Sequence, residues 1–259
     1  MATYGRFLIV AVAVAGILGT GCATGETQKK PLSKTERAIL FVGVANGALA
    51  ENDPTGALQN LAVAEAEDAS LPALHHSKAL AYFKKGDTIS ALKSVRRAVE
   101  LAPDYPDANA TLGKFLMDAG RMDEAEAALK KAAENRLYRG AYKALTGLGI
   151  IYYRKNQFDK SREYIDRAIA DGGPLACVAY YYRGHLYLRE SDFKQATRSY
   201  DHATRKFCGG MADAHLAMGI TLEQNKQYDL ARKKFVEIQQ RFPETKTAEQ
   251  AVNHLKYLP

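Results

Sequence analysis

The sequence predicts an all-α solenoid of about six helix hairpins closed by a final capping helix, and three observations carry that prediction. Small residues recur at Ala45, Ala79, Gly113, Gly149, Gly184 and Gly219, where the first helix of each hairpin must press against the second. Twelve residues further on come Ala57, Ala91, Ala125, Ser161, Ala196 and Ala231, and seven later Ala64, Ala98, Ala132, Ala168, Ala203 and Ile238. Larger apolar groups fill the intervening positions. They are Tyr82, Leu116, Tyr152, Tyr187 and Leu222 on the first helices, and Val95, Leu129, Ile165, Tyr200 and Phe235 on the second. Stacked side by side, such units bury one continuous core.

The recurrence, at about 34 residues, resembles that of tetratricopeptide repeats, each a pair of antiparallel helices. The punctuation follows the same period. In the first hairpin, Asp53 and Pro54 read as an N-cap and first helical residue. Gly86, Gly120 and Asn156 fall at the turns within later hairpins, where a residue tolerating positive φ is useful. Pro103 and Pro243 close their units, while Leu137, Gly173 and Cys208 stand in that place in the others. After the sixth hairpin, Ala248, Val252, Leu255 and Leu258 follow helical spacing, as expected of a helix that covers the end of the stack.

Ahead of the repeats, residues 1–21 have one early cation, Arg6, then an apolar run over 7–18 and small residues leading to Cys22. The run is too short to cross a bilayer core of about 30 Å comfortably. Small residues immediately before a cysteine resemble the bacterial lipoprotein signal, which implies acylation of Cys22 as the first residue of the mature chain. Gly19 stands where that signal usually has a large aliphatic residue, with Leu18 one place early. An ordinary cleaved signal and an uncleaved anchor are the competing readings. Ala23 following the cysteine favours the periplasmic face of the outer membrane. Residues 22–34 are polar and without apolar periodicity, which predicts a flexible tether before a superhelix at 35–259.

An oxidising compartment makes a bridge between Cys177 and Cys208 the expectation, because both lie at the same end of the fifth hairpin. Two free buried thiols are the alternative. No metal site is expected, since no third or fourth ligand is spaced nearby.

The chain has 36 Lys and Arg against 29 Asp and Glu. Between Arg136 and Lys206 there are 14 basic residues and 7 acidic, so the excess is concentrated there. Such a face suits anionic lipid A, cell-wall polymer or an acidic protein segment, with ordinary solvated helix faces as the competing reading; an exported chain does not meet nucleic acid. The six histidines form no HExxH, and neither a phosphate loop nor G-x-S-x-G occurs. Neither enzymatic activity nor a cofactor or small-molecule substrate is therefore expected.

In repeats of this type the first helices line the concave face. Mapping the positions that reach it gives Phe83, Met117, Ile150, Tyr153, Arg154, Tyr181, His185, Leu188, Arg189, Leu216 and Ile220. These predict a groove weighted toward the carboxyl-terminal half, apolar with a basic margin, suited to an extended or amphipathic peptide. Core packing of several of these side chains is the competing reading.

The middle of the chain has a more particular likeness. Residues 112–169, with Leu137-Tyr138 followed by Ala144-Leu145 and Leu148-Gly149, resemble the tetratricopeptide pilotin lipoproteins of type IV pili. The interval from Gly113 to Gly149 is 36 residues, two longer than the regular period, as in that family. Cys177 and Cys208 resemble the myxobacterial-type branch, which has cysteines around the equivalent hairpin. The resemblance implies an outer-membrane lipoprotein that binds secretin subunits and promotes their assembly into the pilus pore. A scaffold docking cell-wall hydrolases and an accessory subunit of the β-barrel insertion machinery are the alternatives.

Overall fold

A computed structural model describes residues 31–259. The expected signal segment, Cys22 and most of the tether lie outside the described residues. Among those described there are thirteen α-helices and no strands. They form six antiparallel hairpins: α1 (Lys34–Ala50) with α2 (Pro54–Glu67), α3 (Pro72–Lys84) with α4 (Thr88–Leu101), α5 (Pro106–Asp118) with α6 (Met122–Glu134), α7 (Ala141–Arg154) with α8 (Phe158–Gly172), α9 (Cys177–Arg189) with α10 (Phe193–Thr204), and α11 (Ala212–Gln224) with α12 (Tyr228–Arg241). The cap is α13 (Lys246–Tyr257).

Local chemistry sets the helix starts. Ser33 caps α1 in a reciprocal capping box with Glu36, so helical structure begins at Lys34, one residue before the boundary expected at 35. Asp53, Asp87 and Asp192 accept from the backbone N–H of Gly56, Ser90 and Gln195, and Thr245 caps α13 in the same way. Pro54, Pro72 and Pro106 occupy the first helical position, where the missing N–H leaves no bond unmade. Each hairpin turns through one residue of positive φ. Gly86, Gly120 and Asn156 serve as expected, but the equivalent places in the other hairpins hold Asn52, Ser191 and Lys226. Serine and lysine pay a steric cost there that glycine avoids, and their character hid these turns from a sequence reading.

Within each hairpin a small residue on the first helix receives a large one sixteen positions later. A Cβ added to Gly149 would come 2.6 Å from Ile165, and one added to Gly219 would come 2.6 Å from Phe235. Gly113 and Gly184 stand in the same relation to Leu129 and Tyr200. In the first two hairpins the pairs are Ala45 with Leu61 and Ala79 with Val95, packed in the same clusters. The aromatic knobs thus sit opposite glycine and the small Val95 opposite alanine. All six knobs are buried.

Polar links run between repeats as well. The Glu126 carboxylate on α6 accepts from Lys130 (2.8 Å), from Lys155 at the end of α7 (2.8 Å) and from the Tyr152 hydroxyl (2.7 Å). These donors, Lys130 first, hold its pKa well below the ordinary carboxylate range, at about 2. A depressed carboxylate stabilises the folded state above its unfolded pKa of about 4.5 and ceases to do so as the pH falls toward 2. Denaturant melts of the parent and Glu126→Gln should therefore differ at neutral pH and converge across that acidic window. A difference independent of pH would contradict this assignment.

Candidate functional groove

The first helices of successive repeats lie side by side, and a cavity of about 560 Å³ runs along α3, α5 and α7 to the start of α9. Its apolar lining includes Leu80, Ala110, Met117, Ile150 and Val178. The space exists because positions facing it are small in the middle repeats. Ala110, Thr111, Thr146 and Gly147 occupy the two places that lie three and two residues before the small helix-packing position. At Gly147 a Cβ would approach the Leu129 side chain at 2.8 Å, so even one methyl group would press into the floor.

Polar groups border this surface. His76 pairs through Nε2 with the Thr111 hydroxyl at 2.9 Å, and its Nδ1 lies 3.3 Å from the Tyr105 hydroxyl. Burial lowers the His76 pKa, so the ring is neutral at pH 7. Tyr138, on the loop between α6 and α7, is raised by burial first and then by the adjacent Asp107 carboxylate. It remains a protonated hydrogen-bonding group. Lys114 is paired with Asp118 at 2.8 Å. Lys143 and Arg154 make no ion pair among the described residues, and both side chains are exposed. The groove therefore presents an apolar floor bordered by two cations outside any ion pair, Lys143 and Arg154, and by the exposed Asp107 carboxylate.

The residues expected to line the groove divide into several groups. Met117, Ile150 and Arg154 line the cavity. Phe83 lies beyond its edge, stacked on Phe115 at 4.6 Å with the Lys114 ammonium 4.3 Å from its ring centre. Tyr153, Tyr181 and His185 instead close upon one another. Tyr181 and His185 are 4.4 Å apart, Tyr153 lies 5.5 Å from Tyr182, and the Tyr200 hydroxyl meets His185 Nδ1 at 3.0 Å. Burial raises the Tyr181 hydroxyl to about 12 and lowers His185. Arg189 covers the Phe158 ring at 3.7 Å. Leu188 and Ile220 are half-buried outside the cavity. Leu216 is a correction: it is buried in the last core, among residues that include Ala248 and Ala251 of α13. Its counterparts Ala110 and Thr146 face the cavity, so the cap changes the fate of this position.

The groove thus lies further toward the amino terminus than expected. In the fifth repeat, Tyr181 and Tyr182 occupy the places held by Thr146 and Gly147 in the fourth, and their rings fill the space. Small residues at Ala110, Thr111, Thr146 and Gly147 were the signal that could have located it.

The bridge expected between Cys177 and Cys208 is present, with the Cα atoms 5.4 Å apart. It joins the start of α9 to the short 3-10 helix Lys206–Cys208, beside a second such turn at Gly173–Leu175.

This arrangement of stacked antiparallel helix pairs is that of a class of protein-interaction scaffold. Models of the tetratricopeptide repeat match residues 82–147, 142–170 and 181–244, and the chain is a tetratricopeptide-repeat solenoid. None of these models is of a catalytic family. In three dimensions the chain is similar to the pilF protein of Pseudomonas aeruginosa, with a TM-score of 0.74 at 18% identity over 85% of this chain and 99% of that one. It is similar also to PilW, described as a widely conserved type IV pilus biogenesis factor, with a TM-score of 0.73 at 19% identity over 83% and 98% of the two chains. Cut9, from a complex with Hcn1, gives 0.74 at 16% identity over 85% of this chain but 42% of its own. No curated protein matches the chain in sequence.

Proposed function

We propose that the protein is a non-enzymatic, lipid-anchored adaptor at the periplasmic face of the outer membrane. In this reading it binds secretin subunits and promotes their assembly into the multimeric pore of the type IV pilus. The observation that carries it is the open groove along α3, α5 and α7, with its apolar floor and the bordering cations Lys143 and Arg154. The near-complete coverage of two pilus biogenesis proteins by the same arrangement of helices supports the choice of pathway.

The mechanism requires no bond to be made or broken. Acyl chains at Cys22 supply membrane affinity, two or more being needed for stable attachment. The groove holds an unassembled subunit beside the bilayer, and tethering raises its effective concentration there. Deleting the gene and running membranes on a denaturing gel tests this directly. Heat-resistant secretin multimer should be lost while monomer persists. Complementation by Cys22→Ala should leave the adaptor off the membrane. Normal multimer with altered wall cross-linking would instead favour docking of cell-wall hydrolases.

A further inference from the structure

The first helices of the six hairpins run parallel, so the connections between hairpins all emerge on one edge of the stack, the edge at which Ser33 leads into α1. Three successive connections there share an unusual composition. Leu137 is 92% exposed and Phe207 76%, and between them Leu175, 51% exposed, also borders the cavity along α3, α5 and α7. Arg136 and Arg139 flank the first, while Arg205 and Lys206 precede the third. Arg205 pairs with Asp201, but Arg136, Arg139 and Lys206 make no ion pair among the described residues. Lys206 is held at φ +51°, a conformation costly for a side chain of its kind, immediately before the outward-facing Phe207.

Structure ties the three loops together. Asp171, at the end of α8, accepts from the Tyr142 backbone N–H at 2.9 Å, so its charge is engaged. The disulfide fixes the second loop to the third, with Cys208 Sγ 3.5 Å from the Pro174 carbonyl. Acidic groups near the edge are few: Asp201 is paired, Asp213 accepts from Thr247, and Glu134 is exposed. The first two connections of the same edge are different. They carry Asp68 and Asp104, have no Lys or Arg, and expose no large apolar residue. The asymmetry belongs to the stretch that holds the basic excess of the chain.

We propose that this edge of the third to sixth hairpins is a membrane-contact surface, in which Leu137 and Phe207 enter the interface of an anionic phospholipid bilayer and Arg136, Arg139 and Lys206 meet its phosphates. Apolar side chains standing on separate loops of one edge match a flat, deformable partner better than a peptide, which needs walls on both sides. Interleaved cations select an anionic surface. The inference does not depend on acylation at Cys22, and it gives the solenoid a fixed orientation on the sheet instead of a free swing about a tether.

The chain contains no tryptophan, so Phe207→Trp or Leu137→Trp supplies a single fluorescent reporter at a site where no packing is disturbed. The measurement uses the full chain with Cys22→Ser, so that acylation contributes nothing. Vesicles of phosphatidylcholine are compared with and without phosphatidylglycerol. Emission should shift to the blue and resist acrylamide quenching only when the anionic lipid is present. Arg136→Gln, Arg139→Gln and Lys206→Gln together should weaken that binding by at least about tenfold, as should added salt. Ile89→Trp is the control, because Ile89 is 82% exposed beside the Gly86 turn on the opposite edge. Unchanged emission at 207 and 137, the same response without phosphatidylglycerol, or an equal response at 89 would overturn the proposal.

Discussion

Gly219→Leu is expected to unfold the carboxyl-terminal end of the solenoid, removing more than about 3 kcal/mol from its stability. The Phe235 ring lies where the new Cβ must go, 2.6 Å from its ideal position. That ring has no room to retreat, being fully buried and stacked at 5.0 Å on His254 of the cap. Gly219→Ala should cost less, because alanine regains about 1 kcal/mol of helix propensity against the same clash. The comparison between hairpins offers a sharper test. The second hairpin solves the same packing problem with Ala79 and Val95. If size complementarity is the cause, the cost of Gly219→Ala should vanish when Phe235→Val is already present. Urea melts of the four chains measure this coupling, and additive costs would show that the glycine serves another purpose.

Reduction of the Cys177–Cys208 bridge is the second large effect. The linked residues are 31 apart, and closing a loop of that length in the unfolded chain corresponds to about 3 to 4 kcal/mol. For a chain of this size the melting temperature should fall by roughly 6 to 15 °C. The loss should be felt beyond the fifth hairpin, since each repeat of a solenoid is held by its neighbours. Loosening the junction of α9 and the 206–208 turn also weakens the seat of α11 to α13. Melts of the parent with and without reductant, beside Cys177→Ser/Cys208→Ser, make the measurement. A parent whose melting ignores reductant would contradict the expected contribution.

The repeats were legible in the sequence because one physical constraint recurs. A residue small enough for two helices to touch, then a knob sixteen positions on, survives every change of composition from Ala45 to Gly219. The bridge was legible for a related reason, since antiparallel helices bring the two ends of one hairpin together. The groove was legible only in part. Counting positions along a first helix says which residues point toward the concave side, and Ile150 and Arg154 were found in that way. It does not say whether neighbours fill the space. Tyr181, Tyr182 and His185 fill it in the fifth repeat, and the last core takes up Leu216. Cavity position is decided by side-chain volume across adjacent repeats, a sum that a position-by-position reading does not make. The turns at Ser191 and Lys226 were hidden because neither residue type advertises positive φ.

In the proposed function the surface along α3, α5 and α7 recognises the partner. Ile150 is half-buried on that surface, so Ile150→Glu places a charge in the groove without opening the core. The most direct measurement is the amount of heat-resistant secretin multimer when this variant, shown to keep the parental helical content and melting curve, replaces the parent in cells. The proposed function predicts that multimer is lost while secretin monomer remains; multimer at the parental level would contradict it.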